Sequence, residues 1–179
     1  MITERIKQQT TFLIELDKLK QVLRRSKPVG SDRYEDSAEH SWHLAVMAIL
    51  LADYTDESID LKRVMQMVLI HDIVEIDAGD TFLYNTAERQ NKQTIEAAAA
   101  KRIFGLLPTD QTEAFLTLWQ EFEARTSADA RFAYALDRLM PLLQNYHNQG
   151  FTWQENDVCR DQVWEANQKI GDSSTVLWQ

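Results

Sequence analysis

His71 and Asp72 stand side by side within Leu69-Ile70-His71-Asp72-Ile73-Val74-Glu75, two metal-binding side chains set in an apolar run. Upstream, Leu61, Val64, Met65, Val68 and Leu69 recur at three- and four-residue spacing. That period predicts a helix with one stripe turned to a core, and Asp72 and Glu75 on or beside the stripe. An ionised carboxylate there is costly unless it is paired or binds a metal, and the neighbouring imidazole favours the metal. A His-Asp pair arises often by chance, so the rest of the chain has to supply more ligands. Two further positions meet the same criterion. His40 shares a helical face with Leu44, Met47 and Leu51, although a lone histidine there is more often a satisfied core residue, and Asp137 lies within the stripe Phe132, Ala133, Leu136, Met140, Leu143. His43 either shares the face of His40 or packs at the helix surface. His147 lies about 15 Å beyond Asp137 along a helix rising 1.5 Å per residue, too far to join it on one metal. Arg24, beside Leu23 at the edge of the first apolar stripe, offers a fork of donors that suits phosphate in an interior cleft.

Helices have to position these groups, and the composition is helical: five Gly and three Pro in 179 residues, with little punctuation for sheets. The fold expected is all-α, a single domain over residues 1–179. A first amphipathic helix is expected from about Glu4 to Leu23, with Lys20, Arg24, Arg25 and Lys27 at its C-terminal end before Pro28 and Gly30. Asp36-Ser37-Ala38-Glu39 reads as a capping box for a second helix reaching about Tyr54. Asp60 caps a third, which carries His71 and Asp72 and stops at Gly79, leaving Asp80 on a loop. A fourth helix spans roughly Asn85 to Phe104, a fifth Thr109 to Arg125, and a sixth starts at Ser127. Pro141, four residues after Asp137, removes a backbone donor from that helix and predicts a kink. Asp157 to Trp178 reads as a closing helix and a tail, whose Trp residues, if exposed, mark a dimer surface.

The formal charge of −9 opposes a nucleic-acid polymer as partner but leaves room for a small anionic substrate where positive charge is concentrated. Cys159 is the single cysteine, the N-terminal residues lack a signal-peptide core, and no apolar run is long enough for a bilayer. The expectation is a cytoplasmic protein with no membrane partner.

Taken together, His40, His71-Asp72 and Asp137 on three separate helices resemble the HD superfamily of metal-dependent phosphohydrolases. Ser37-Ala38-Glu39-His40, His71-Asp72-Ile73-Val74-Glu75 with Gly79-Asp80, Leu118-Trp119-Gln120-Glu121-Phe122-Glu123, and Ser127-Ala128-Asp129-Ala130-Arg131-Phe132 leading to Leu136-Asp137 look like its HD domain-containing protein 2 branch, related to bacterial 5′-deoxynucleotidases. The resemblance covers about residues 12–150 and implies an HD-type helical bundle, with 151–179 as a C-terminal addition. It implies one divalent ion (Mn, Co, Fe, Ni, Zn or Mg) on His40, His71, Asp72 and Asp137, with water and a phosphate oxygen completing the coordination. It also implies that Glu75 and Asp80 orient water and handle protons, that Arg24 holds the phosphate, and that the protein is a homodimer. The implied reaction releases phosphate from a deoxyribonucleoside 5′-monophosphate. Where the bacterial enzymes have an aromatic residue after the matching arginine, this chain has Arg25, which removes base or sugar stacking and the strict deoxy preference from what the resemblance implies there and instead offers a second phosphate contact that would permit a different phosphoester. The alternatives are another small nucleotide or phosphoester as substrate, and a non-catalytic module whose metal only staples helices.

Overall fold

The structure is a computed structural model and describes residues 3–84 and 91–179. No sheet is present among the described residues. Helix α1 (Glu4–Leu16) is capped by Thr3 and passes into a 3-10 turn over Asp17–Gln21, so the helical segment ends earlier than the apolar periodicity predicted. Residues 22–26 are extended instead. Leu23 forms an antiparallel bridge with Asp36, and the ladder is completed by Ser37 N to Val22 O (3.0 Å), Arg24 N to Glu35 O (2.8 Å) and Glu35 N to Ser26 O (2.9 Å). Successive side chains of an extended chain point to opposite sides. Leu23 and Arg25 are accordingly exposed while Arg24 and Ser26 are buried. The helix-end reading of these cations therefore gives way to a strand-like one.

The predicted capping box is present at α2 (Ser37–Leu51). Asp36 Oδ1 accepts from the amides of Ala38 and Glu39, and Glu39 Oε1 accepts from the amide of Asp36. Helix α3 (Leu61–Ile70) is capped by Asp60, as expected, but it ends one residue before the histidine. His71–Val74 form a 3-10 turn that leads into the one-turn helix α4 (Glu75–Ala78), which stops at Gly79 with φ +73°. All five residues from His71 to Glu75 are buried, which no single face of a regular helix permits; the segment is packed from opposite sides, against α2 and against α5 (Lys92–Phe104). The predicted start of the fourth helix, Asn85 to Gln90, lies outside the described residues.

Helix α6 (Thr109–Ala124) ends at Arg125 in the left-handed conformation, and α7 (Ala128–His147) is capped by Ser127 and continues as a helix through Pro141. The C-terminal stretch is not a single helix with a tail. It breaks into α8 (Phe151–Glu155), α9 (Arg160–Asn167), a 3-10 turn over Gln168–Asp172 and α10 (Thr175–Trp178), with Ile170 and Ser174 fully buried. It folds back on the α2–α3 connection, where Ser174 Oγ donates to the Tyr54 carbonyl and Asp56 accepts from the Thr175 amide.

Two apolar clusters result. Leu44, Met47, Val64, Met67, Val68, Phe122, Phe132, Leu136 and Met140 join α2, α3, α6 and α7. Phe12, Leu19, Ile70, Ile73, Val74, Ile103, Phe104 and Trp119 join α1, α5 and α6 to the end of α3. The His71-Asp72 step lies between Ile70 and Ile73 of the second cluster, and His40 and Asp137 rise from helices of the first. The polar centre is thus anchored by both.

Candidate metal centre

His40, His71 and Asp72 offer ligand atoms within 4.8 Å of one another, and all three are buried. Asp137 joins them: its Oδ1 is 2.9 Å from His40 Nε2 and 3.7 Å from His71 Nε2. Asp72 Oδ1 is 3.0 Å from His71 Nε2. The far ring nitrogens set which atoms face this point. His71 Nδ1 donates to the Val68 carbonyl at 2.9 Å, which leaves the buried Nε2, with no hydrogen bond among the described residues, as the nitrogen available for coordination. His40 Nδ1 lies 3.2 Å from Glu35 Oε2, with Nε2 toward Asp137. Two imidazole nitrogens and two carboxylate oxygens converging on one point form a donor set that fits a divalent cation, with positions left for water and substrate.

Charge supports the fit. Five carboxyl groups, Glu35, Asp72, Glu75, Asp80 and Asp137, surround the centre, and two guanidinium groups answer them, Arg24 and Arg138. Arg24 Nη1 donates to Asp72 Oδ2 at 2.6 Å, and its other nitrogens lie 3.5 Å from Glu35 and 3.6 Å from Asp137. Arg138 Nη2 donates to Asp137 Oδ2. Burial alone would raise the Asp137 carboxyl; Arg138, His40 and His71 overcome it and hold it well below the usual carboxylate range. Burial pulls the His71 imidazole down, but Asp72 and Asp137 outweigh it and lift the pKa to about 9 in the metal-free protein. Burial and then the Asp72 carboxylate push Glu75 well above its ordinary value, against the pull of Arg24. Burial likewise raises Asp80. Both carboxyls therefore hold a proton at higher pH than a solvated one, the property asked of an acid-base group.

Every predicted site residue except Arg25 is drawn inward. Arg25 is exposed and sits at the edge of a cavity of about 360 Å³ that His71, Asp72, Glu75, Asp80, Asp137 and Arg24 line. His43 packs beside Trp42 outside the cluster, and His147 is exposed at the end of α7. Sequence reasoning missed four supporting residues. Glu35, 2 % exposed, accepts from Ser26 and Gln144 and braces His40; Ser37 donates to Glu75 Oε2 at 2.7 Å; Arg138 braces Asp137; and Lys92, 3.2 Å from the buried Glu96, lines the cavity. Glu35 and Lys92 carry no periodic signal. Arg138 had one, adjacency to a carboxylate already singled out.

The sequence profile of the HD domain family matches residues 16–178. The chain belongs to the HD domain family. In that family it is similar to a structure described as a "predicted metal-dependent phosphohydrolase" from Magnetospirillum magnetotacticum MS-1, 50 % identical, with a TM-score of 0.94 over 99 % of this chain and 91 % of that one. It also resembles the 5′-deoxynucleotidase HDDC2 of Bos taurus, 33 % identical over 110 residues, 62 % of this chain and 52 % of the relative. The human protein of the same name is 32 % identical over 112 residues, 63 % of this chain and 53 % of that one. The chain thus spans about half the length of the curated relatives it matches. Within this HD domain the family profile reaches into the C-terminal stretch, past the point at residue 150 where the sequence resemblance was read to end.

Proposed function

We propose that this HD domain is a metal-dependent phosphohydrolase that cleaves deoxyribonucleoside 5′-monophosphates to the nucleoside and phosphate. The observation that carries the reading is the convergence of His40 Nε2, His71 Nε2, Asp72 and Asp137, the last three at the wall of a cavity that Glu75 and Asp80 also line. A purely structural metal would be enclosed and would have no use for two more protonatable carboxyls. The relatives named 5′-deoxynucleotidase supply the substrate class.

His40, His71, Asp72 and Asp137 would hold one divalent ion, Mn, Co, Fe, Ni, Zn or Mg, which when bound would supply Lewis-acid polarisation of the phosphoryl group and a lowered pKa for the attacking water. The protein's own groups do the rest. Glu75, held by Ser37, orients the water and accepts its proton; Asp80, at the cavity side of the loop after Gly79, returns a proton to the departing 5′-oxygen. Arg24, whose Nε makes no hydrogen bond among the described residues, receives the phosphate, and Arg25 adds a contact from the rim. The whole is read as a cytoplasmic homodimer, consistent with exposed Trp42, Ile49 and Leu50 on α2; no helix among the described residues is long and apolar enough to cross a membrane.

The test is phosphate release from a panel of deoxy- and ribonucleoside 5′-monophosphates by metal-stripped protein resupplied with Mn, Co or Mg, beside Asp72→Ala. Release confined to the deoxynucleotides and lost in Asp72→Ala is expected. No release from any nucleotide by protein that still binds metal would overturn the reading.

A further inference from the structure

The cavity has a second end. Beyond the polar centre its wall is made by Phe82 and Tyr84 of the loop after α4, Trp153 of α8, Asn145 of α7 and Asn167 of α9. The indole of Trp153 is half-buried and held in place. The indole edge sits so close to Gly150 that a Cβ there would lie 3.4 Å from Cε3. Thr152, next to it, donates to Asn145 Oδ1 at 2.7 Å, tying α8 to α7. Asn145 and the ligand Asp137 lie on the same helix, eight residues apart. At 1.5 Å per residue that is about 12 Å along the helix axis, which sets the Asn145 and Trp153 side of the cavity apart from the metal ligands.

We infer that Trp153, which lines the same cavity as the metal ligands, is the platform on which the nucleobase stacks, in place of an aromatic residue at the Arg25 position. The inference rests on the nucleotidase reading above. A half-buried flat ring packed along one edge loses little freedom when a base settles on it, and stacking accepts any base because every base has a π-face. The site therefore separates nucleotides from smaller phosphoesters while discriminating weakly among the four bases.

The experiment compares wild type, Trp153→Ala and Trp153→Phe as metal-loaded full chains on the four deoxyribonucleoside 5′-monophosphates and on 2-deoxyribose 5-phosphate, which has the same ester and no base. Trp153→Ala is expected to raise KM for all four nucleotides on the order of tenfold with little change in kcat. Its preference for nucleotide over 2-deoxyribose 5-phosphate falls by the same factor, and Trp153→Phe recovers most of it. An unchanged nucleotide KM, or an equal loss on 2-deoxyribose 5-phosphate, would overturn the platform. Fluorescence titration with dAMP in a Glu75→Gln background supplies a readout independent of turnover: quenching in the Trp153-containing protein should disappear with Trp153→Phe. Wild type that hydrolyses no nucleotide but shows this quenching would sink the reaction and keep the platform. Hydrolysis with quenching unaltered by Trp153→Phe would do the reverse.

Discussion

The two ends of the cavity are built on opposite principles. At the metal end the four ligand side chains are ionisable, lie against groups of opposite charge, and are carried on elements sealed into apolar clusters: His40 by α2, Asp137 by α7, the His71-Asp72 step by the turn after α3. At the far end the groups are aromatic or amide and come from a loop and short helices. Breaking a buried ion pair leaves an uncompensated charge, which is far more damaging than losing one face of an indole. The metal end is thus intolerant of change, whereas the far end can be altered without disturbing the chemistry.

The largest effect that would sharpen this contrast is at Asp72. Asp72→Ala removes a ligand oxygen and the partner of Arg24, and should take phosphate release to the buffer level with loss of bound metal by mass spectrometry. Retained metal and turnover would erase the difference between the ends. Next comes Glu75→Gln, expected to keep metal while lowering kcat by on the order of 10²–10⁴; wild-type turnover would remove Glu75 from proton handling. Glu35→Gln, which touches His40 and no substrate, should weaken metal binding by about 10–100-fold with an unchanged nucleotide preference. The pH dependence has a definite sign. Because the metal-free His71 imidazole is raised to about 9 and must shed its proton to coordinate, apparent metal affinity should climb with pH through neutrality, by up to about tenfold per unit, and level off above pH 9. Competition titrations at several pH values check this, and a flat profile would show that His71 binds no metal. The smallest effect is remote from both ends: Ser127→Ala deletes the N-cap of α7 and should cost about 1 kcal/mol in denaturant unfolding while leaving KM alone.

The same division governed what could be read from the chain. His40, His71, Asp72 and Asp137 were visible because helical period marks a buried position, and a ligand type in a buried position stands out against its apolar neighbours. Capping signals at Asp36, Asp60 and Ser127 located helix starts for the same local reason. Arg24 was found by its proximity to an apolar stripe, yet the helix ends earlier and an extended alternation buries it. Glu35 was passed over as loop. Its burial depends on Arg24, Ser26, His40 and Gln144 arriving from elsewhere, and no local pattern encodes that meeting. The C-terminal stretch was misread as a helix with a tail because its contacts with α7 and the α2–α3 connection are long-range, with weak apolar periodicity of its own.

The short ladder joining residues 22–26 to 35–37 has an evolutionary consequence. It clamps the chain on both sides of residues 27–34, with Arg24 on one rail and the Asp36 cap of the His40 helix on the other. Insertions or deletions in that excursion begin and end at fixed points, so a change there costs its contacts with Asn148 and Glu155 but leaves the arginine where it is relative to the histidine. A loop beside a reaction centre, ordinarily a hazard to remodel, is here the place where new surface can be grafted.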